Sequence, residues 1–325
     1  MTVHPEVKPG FWARNKRLLS FGDVGYLPLF IIFLFFFFAY LQPRFATFAN
    51  LQNVSRQGAF LAIVACAQMF PLLGGGFDIS VGANIGLVSV ITSIVTLQFG
   101  IAFGLLSGIL CGAFVGLING TVVSIFRVSP FVATLAMMSA ARGAGLFITN
   151  GQPIFGLPKS FLYIGTRYIG PFPIPTLIAA FAFLLTYLIL RKFFFGRYFY
   201  AIGGNAEAAR LSGVNVIGYR LLSYVICGTL TGIAGVTITS RIGSGEPMTG
   251  AGLGLESIAA VVVGGVALTG GKGTVLGVCL GVITLALISN GLDLINVSSY
   301  LQMVVIGAII VFAVIADQFK TGKKG

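Results

Sequence analysis

The chain has few charged residues, and this shortage excludes most classes of soluble protein. Only 9% of its 325 residues are Asp, Glu, Lys or Arg, whereas 57% are hydrophobic. A globular protein of this length carries about 25% charged residues, because its surface must face water. So few charges cannot cover such a surface. The sequence therefore predicts an all-α, polytopic membrane protein.

Histidine and paired cysteine are also scarce, which excludes several kinds of site. The single histidine is His4, and the four cysteines (Cys66, Cys111, Cys227 and Cys279) lie separately within apolar runs. Without a cluster of these residues we expect no metal site, no catalytic residues and no disulfide framework. The chain is therefore not predicted to be an enzyme.

The chain is rich in long apolar segments instead. A membrane-spanning helix needs about 20 predominantly apolar residues, and about ten segments qualify. They lie near residues 25–42, 57–75, 79–98, 101–126, 131–149, 174–190, 219–240, 253–268, 274–291 and 299–316. We therefore predict one transmembrane domain over residues 25–316, an N-terminal tail over 1–24 and a C-terminal tail over 317–325. No signal peptide is expected before the first span.

The distribution of basic residues predicts the orientation. With the N-terminus inside, the cytoplasmic set is Lys8, Arg14, Lys16, Arg17, Arg127, Arg191, Lys192, Arg197, Arg210, Arg220, Lys272, Lys320, Lys323 and Lys324. The external set is only Arg44, Arg56, Lys159, Arg167 and Arg241. This positive-inside excess predicts that both termini and a loop over 191–218 are cytoplasmic. The net charge of +12 thus comes from basic residues at the ends of apolar segments, where they orient the chain in the lipid bilayer. No nucleic acid partner is expected.

Glycine is abundant and regularly placed. Five glycines recur at four-residue spacing in one span: Gly104, Gly108, Gly112, Gly116 and Gly120. On a helix they form one face without side chains, which favours close packing of a neighbouring helix. A sliding surface for conformational change is the alternative interpretation.

Two glycine-rich stretches, "PLLGGGFDISVG" (71–82) and "GGVALTGGKGTVLG" (264–277), interrupt apolar segments. Aligning Gly75-Gly76 with Gly270-Gly271 indicates a weak internal repeat, so we expect interrupted or re-entrant helices here. Lys272 does not complete a phosphate-binding loop. That motif needs glycine at position 266, which is Val266 here, and Ser or Thr at position 273, which is Gly273 here. Any energy source must therefore lie on another chain or in an ion gradient.

One polar segment, "AIGGNAEAARLSGVN" (201–215), stands out in the predicted cytoplasmic loop. Asn205 is a good N-cap, Glu207 lies in the first turn, Arg210 lies near the end and Gly213 suits a C-terminal stop. The predicted helix has two turns, too few to persist alone in water, so something must pack on it. Contact with a soluble partner and rest on the membrane surface both remain open from these residues alone.

This segment resembles the cytoplasmic coupling segment of permease subunits in bacterial ABC importers of the ribose, xylose and galactofuranose type. Four more stretches resemble the same family in the same order: "GGGFDISVG" (74–82), "SPFVATLAMMSAARG" (129–143), "LESIAAVVVGGVALTGGKGTVLG" (255–277) and "NGLDLINVSSYLQMVVIGAIIV" (290–311). One departure is "FDIS", where the family more often has Ile-Asp-Leu-Ser.

The resemblance implies a binding-protein-dependent importer of a bacterial inner membrane, in which this chain pairs with a copy of itself or a close homologue. A cytoplasmic ABC ATPase would bind ATP and Mg, a periplasmic sugar-binding protein would deliver the solute, and no cofactor is expected on this chain. The resemblance also implies that the coupling segment docks in a groove of the ATPase. Its candidate residues are Gly203, Gly204, Asn205, Glu207, Ala208, Arg210, Leu211 and Gly213.

The predicted substrate is a monosaccharide or a related polyol, which calls for amides rather than fixed charges along its path. The candidates for that path are Asn84, Asn119, Asn290 and Gln302, although hydrogen bonds between helices are an equal alternative for each. Candidate structural or gating residues are Asp78, Arg142 and Glu256, and candidate contacts to the binding protein are Arg241 and Glu246.

Three other functions remain open. The same type of permease could carry a nucleoside, a furanosyl signalling molecule or an amino acid; an amino-acid path would favour paired charges, such as Arg142 with Glu256. An ion-coupled secondary transporter would need no ATPase and would leave the short helix without a role. A membrane-embedded enzyme is disfavoured, because no nucleophile and base form a recognisable set.

Overall fold

The computed structural model describes residues 25–322, without the side chains of residues 310, 312–314 and 316–322. This part is nearly all-helical, as predicted, with one small antiparallel pair of strands, β1 (Tyr168–Ile169) and β2 (Phe172–Pro173). The predicted tail over 1–24, with its basic residues, and residues 323–325 lie outside the described residues.

The helices follow in chain order and are named here by their bounds. They are α1 (Leu27–Leu41), α2 (Phe48–Leu73), α3 (Val81–Phe99), α4 (Ile101–Ser124), α5 (Pro130–Thr149), α6 (Lys159–Thr166), α7 (Ile174–Arg191), α8 (Phe194–Gly204), α9 (Ala206–Leu211), α10 (Val216–Ile242), α11 (Leu253–Val263), α12 (Val275–Leu294) and α13 (Ser299–Gly322). A short 3₁₀ helix, Pro43–Ala46, joins α1 to α2.

Seven of these helices are long and apolar enough to cross a membrane: α2, α3, α4, α5, α7, α10 and α12. The other three predicted spans coincide with shorter apolar helices, namely α1, α11 and the Ser299–Ile309 part of α13. The 11 residues of α11 rise only about 16 Å, roughly half of a ~30 Å hydrocarbon core. A full span over 253–268 is therefore not supported, and the number of about ten spans stays a prediction.

The early end of α11 has a steric cause. Gly264 lies against the carbonyl of Gly277 at the start of α12, so closely that a Cβ on Gly264 would lie 2.5 Å from that oxygen. Gly265 follows with φ of +80°, in the left-handed region that glycine adopts without the steric penalty of a Cβ. The chain therefore leaves the helix at this glycine pair and turns towards α12.

The core is built around α2 and α10. From Leu61 to Leu73 every residue of α2 is buried, on all faces of the helix. Such all-round burial is typical of a helix in the centre of a membrane bundle. By contrast, α1 exposes Phe30, Phe33 and Phe36, as expected for rings that face lipid.

The predicted glycine face of α4 packs closely against α10. All five of its glycines are buried. A Cβ on Gly112 would lie 2.7 Å from the Cα of Gly232, and one on Gly116 would lie 3.0 Å from the Cα of Gly228. Two helices thus approach backbone to backbone, the arrangement that small residues permit. The interpretation as helix packing is confirmed.

We expect Gly112→Ala to destabilise the chain, although alanine is the better helix former. The intrinsic gain is about 1 kcal/mol, whereas overpacking costs about 1–3 kcal/mol, and the facing backbone of α10 cannot rotate away. The midpoint of thermal unfolding of the purified chain should therefore fall. Gly143→Ala in α5 is the matched control, since nothing lies within 4 Å of its added Cβ; equal midpoints for both variants would contradict this packing.

Two stretches between predicted spans hold more structure than their sequences indicate. The stretch over 191–218 forms two helices, α8 and α9, and not only the one predicted from its caps. The stretch over 150–173 contains α6 and both strands, and Ile154 pairs with Gly245 in an isolated bridge. Both stretches are therefore packed onto the helices beside them.

Candidate functional site

The 203–213 segment forms the short helix that its sequence predicts. The side chain of Asn205 accepts a hydrogen bond from the N–H of Ala208 at 2.9 Å, which satisfies one of the free N–H groups at the start of α9. The helix is six residues long and stops before Gly213, whose φ is +84°. The predicted N-cap and C-terminal stop are confirmed, although the helix is shorter than two full turns.

One face of α9 carries an ion pair that points into solvent. The guanidinium of Arg210 donates two hydrogen bonds to the carboxylate of Glu207, one of them from Nε to Oε2 at 3.0 Å. Hydrogen bonding to Arg210 and its charge lower the pKa of Glu207, so this carboxylate is ionised at neutral pH. Leu211 beside it is 74% exposed, whereas Ala209 on the opposite face is buried. The helix thus presents a charged pair and one large apolar side chain outward.

The preceding helix, α8, fixes this segment to the bundle. Phe199 is fully buried, with its ring 5.7 Å from that of Phe70 in α2 and perpendicular to it. Tyr200 donates a hydrogen bond from its hydroxyl to the carbonyl of Gly273 at 3.2 Å. Through these contacts α8 reaches both α2 and the glycine-rich stretch before α12.

The two glycine-rich stretches meet each other at the end of α8. The N–H of Gly271 donates a hydrogen bond to the carbonyl of Leu73 at 3.0 Å, which joins the stretch before α12 to the end of α2. Gly203 lies directly against this hydrogen bond, since a Cβ on it would collide with both bonded atoms. Gly75 and Gly270 complete the contact. We call Gly75, Gly203, Gly270 and Gly271 the glycine junction.

The glycine junction agrees with the predicted repeat. Gly75 and Gly270, which the alignment of the two stretches pairs, both adopt left-handed backbone, with φ of +81° and +89°. The helices that follow begin at Val81 and Val275, only one residue out of the aligned register. Each stretch is therefore a real interruption between two helices, and the two interruptions touch.

A buried polar cluster around Asp78 holds the first interruption, residues 74–80 between α2 and α3. Its Oδ1 accepts from the N–H of Ser80 at 2.8 Å, and its Oδ2 accepts from the amide of Asn119 in α4 at 3.0 Å. Gln68 in α2 brackets the backbone, donating to the carbonyl of Asp78 and accepting from its N–H. Asp78 thus ties the interruption to two helices, which favours the structural role among those proposed for it.

We expect Asp78→Ala to destabilise the chain, because Ser80 loses the acceptor of its N–H and of its hydroxyl, and Asn119 keeps only its bond to the Ser80 hydroxyl. An unsatisfied buried donor costs about 1–3 kcal/mol, which should lower the thermal unfolding midpoint. Asp293→Ala is the control, since Asp293 is exposed although it also accepts a hydrogen bond, from Gln302. A loss of stability for Asp293→Ala as large as for Asp78→Ala would contradict the role of this cluster.

The four candidate path amides differ in their hydrogen-bond partners. Asn84 is buried, with its amide 3.4 Å from the carbonyl of Gly112 and its Oδ1 without a partner in the described chain. Asn119 belongs to the Asp78 cluster. Asn290 and Asn50 exchange hydrogen bonds between their side chains, and Gln302 donates to Asp293 at 2.7 Å. These contacts give Asn119, Asn290 and Gln302 a role in joining separate parts of the bundle. A role of any of the four in a substrate path stays a prediction.

The remaining charged candidates do not pair. Within residues 25–322, less the side chains left out near the C-terminus, the ion pair found is Glu207–Arg210, so Arg142 and Glu256 are not joined. Glu246 accepts from the hydroxyl of Ser244 at 2.9 Å, and its N–H donates to Ser89 at 3.1 Å. Arg241 ends α10 and is half-buried. The loop between them packs into the bundle and is only partly exposed to solvent.

The sequence did not reveal α8 or the glycine junction. The spacing of Phe199, Ile202 and Gly196, which share the buried face of α8, was the available signal for that helix. Contacts between residues about 70 and 130 positions apart leave no such local signal. Ser80, two residues after Asp78, is the one member of the Asp78 cluster that a local turn pattern could have indicated.

Comparisons with known proteins agree over most of the chain. The family model described as branched-chain amino acid transport system / permease component matches residues 50–314. The ribose import permease protein RbsC of Bacillus subtilis is 38% identical over 91% of this chain and 92% of its own length. The L-arabinose transport system permease protein AraH of Escherichia coli K12 is 37% identical over 95% of each. No solved structure matches the chain.

A third relative is the probable ABC transporter permease protein YphD of Escherichia coli K12, which is 40% identical over 91% of this chain and 89% of its own length. The family model, which matches residues 50–314, includes the glycine junction, the Asp78 cluster and the 203–213 segment. The geometry described above and the similarity thus concern the same part of the chain.

Proposed function

Since this chain belongs to the permease family of binding-protein-dependent sugar ABC importers, we propose that it translocates a monosaccharide into the cytoplasm in response to ATP hydrolysis on another chain. In this proposal residues 203–213, the coupling segment, receive the movement of a cytoplasmic ABC ATPase. Both termini lie in the cytoplasm of a bacterium, and the ATP and Mg are held by the ATPase.

The observation that carries the proposal is the position of the coupling segment. Its outer face presents Leu211 and the Glu207–Arg210 pair to solvent, which suits a soluble partner. Its inner side continues through Gly203 into the glycine junction, where both helix interruptions meet. A push on α9 would therefore reach α2, α3 and α12 through backbone contacts, without a long chain of flexible side chains.

The same geometry explains why a short helix is sufficient. A helix of six residues is unstable alone, but α8 holds its start and the caps of Asn205 hold its first turn. Rigid contacts of this kind transmit a displacement, because packed backbones have few alternative arrangements. The segment therefore acts as a connector and not as a catalytic element.

For the substrate, we propose a ribose-like pentose, a hexose or a related polyol. The names of RbsC and AraH refer to ribose and L-arabinose, two pentoses. An amino-acid path would favour paired fixed charges, and the two candidates for such a pair, Arg142 and Glu256, are not joined. A periplasmic sugar-binding protein would deliver the sugar and meet the outer loop near Arg241 and Glu246.

Co-purification tests the partners. The full chain, extracted in mild detergent from its own host, should carry an ABC ATPase and a second permease subunit, identical or homologous. A sugar should be found on the binding protein that the complex retains, and this sugar would identify the substrate. Recovery of the chain without any ATPase, together with uptake driven by an ion gradient, would favour a secondary transporter instead.

A further inference from the structure

A cavity of about 520 Å³ opens beside α9, between the end of α4, the start of α5 and the start of α10. Its lining includes three arginines, Arg127, Arg210 and Arg220, together with Ser124 and Ser129. We call it the arginine cavity. The cavity extends from the Glu207–Arg210 pair of α9 to Gly74, Gly75 and Gly76 of the first interruption, which also line it.

The charge in the arginine cavity is not balanced. Glu207 is the one acidic residue in the lining among the described residues, and its carboxylate is already bonded to Arg210. Arg127 and Arg220 form no ion pair within the part of the chain that the structure describes. Two guanidinium groups on one cavity therefore remain free to bind an anion, and guanidinium forks match the oxygens of a phosphate or a carboxylate.

A buried hydroxyl and a helix end add to this. Ser124, the last residue of α4, is 4% exposed, and its Oγ has no hydrogen-bond partner in the described chain. Buried polar groups normally have a partner, so this hydroxyl is available to bond a ligand or a water in the cavity. The N-terminus of α5 also enters the wall at Ser129 and Pro130, where the positive end of the helix dipole favours an anion.

The backbone holds one arginine in place. Arg127 has φ of +57°, in the left-handed region that is uncommon for residues other than glycine. The Val128 N–H next to it donates to the carbonyl of Val122 at 3.2 Å, which closes the turn between α4 and α5. This turn brings Arg127 to the wall of the cavity, which Ser124 also lines.

We propose that the arginine cavity is a binding site for a phosphate group, bound by Arg127 and Arg220 with the Ser124 hydroxyl and the start of α5. A phosphate has charge for both guanidinium groups and for the positive end of the α5 dipole, and an oxygen for the hydroxyl. Two sources supply this chemistry at the end of a transmembrane bundle: the headgroup of an anionic phospholipid, and free phosphate from the cytoplasm. Because α9 and the first interruption line the same cavity, a bound phosphate would restrain the coupling segment against α5.

The test uses the purified full chain alone, so it does not depend on transport. Thermal unfolding is measured in rising inorganic phosphate, with choline chloride at matched ionic strength as the reference. In parallel, the chain is extracted from phosphatidylcholine vesicles with and without phosphatidylglycerol, and native mass spectrometry reports the retained lipid. We expect saturable binding of one phosphate-bearing ligand per chain.

The variant Arg127→Gln/Arg220→Gln should weaken this binding by at least about tenfold, because it removes both charge-assisted contacts. Lys192→Gln/Lys272→Gln is the matched control: it removes two positive charges of exposed residues outside the cavity and should leave binding unchanged. Ser124→Ala should weaken binding by a smaller factor. If the double arginine variant does not fold, Arg127→Gln alone serves, since Arg127 is exposed.

The outcomes separate the sources. A signal with inorganic phosphate alone assigns the cavity to the free anion, and retention of phosphatidylglycerol without a phosphate signal assigns it to a lipid headgroup. Equal binding by the arginine variant and the lysine variant would overturn the proposal. Absence of both the phosphate signal and the retained lipid would also overturn it. If the arginine variant then lost its association with the ATPase, the cavity would be assigned to the interface with the ATPase.

Discussion

Gly203→Ala should reduce ATP-dependent uptake by about tenfold or more, while the chain still inserts into the membrane. A Cβ at this position collides with the carbonyl of Leu73 and the N–H of Gly271, which are bonded to each other. Overpacking costs about 1–3 kcal/mol, and each ~1.4 kcal/mol is a factor of about ten. Since both collision partners are backbone atoms, α8 must move away from the glycine junction.

The chain offers a matched control outside the coupling segment. Gly143 also lies in a helix, α5, and nothing lies within 4 Å of a Cβ placed on it. Gly143→Ala should therefore keep normal uptake. Uptake is measured in vesicles that contain the whole complex, with radiolabelled sugar and with ATP hydrolysis followed in the same sample. Normal uptake by Gly203→Ala, or an equal loss in Gly143→Ala, would show that the glycine junction does not transmit the movement.

Replacing Glu207 and Arg210 by Ala, or deleting residues 205–212, should uncouple ATP hydrolysis from uptake. The pair is exposed and an exposed ion pair contributes little to folding, so the loss would come from contact with the ATPase. Thermal unfolding of the purified double variant should match that of the unaltered chain. The deletion removes α9 altogether and should abolish uptake, with membrane insertion unchanged.

Exchanging the two charges tests whether the ATPase recognises the direction of the ion pair. The variant Glu207→Arg/Arg210→Glu retains an ion pair across one helical turn but inverts its direction, so it should fold normally and fail to couple if the ATPase reads the two charges. The control Lys192→Gln removes an exposed charge that lies before the start of α8, and it should leave uptake unchanged. Full ATP-dependent uptake with the 205–212 deletion would remove the coupling assignment.

Local features of this chain were predictable because local chemistry determines them. The N-cap of Asn205, the stop before Gly213 and the glycine face of α4 follow from residue type and spacing within a few turns. The interruptions were also expected from their glycines. Their contact with each other was not, because it depends on how α2, α8 and α12 pack in three dimensions.

Burial explains why the polar residues in the spans were harder to interpret. Asn119 and Asp78 lie 41 positions apart, and only the packing of α4 on the first interruption brings them to 3.0 Å. A buried amide that joins two helices and one that lines a path look alike in a sequence. The end of α11 at Val263 was missed for a similar reason, since the close approach of Gly264 to Gly277 involves another helix.

The central claim is that ATP hydrolysis on a separate subunit drives transport through this chain. The direct measurement is uptake of labelled ribose or arabinose into vesicles that contain the chain with its ATPase, with binding protein and with ATP supplied on the ATPase side. We predict uptake that requires ATP, the ATPase and the binding protein together, and that an ionophore leaves unchanged. Uptake without the ATPase that an ionophore abolishes would contradict the account.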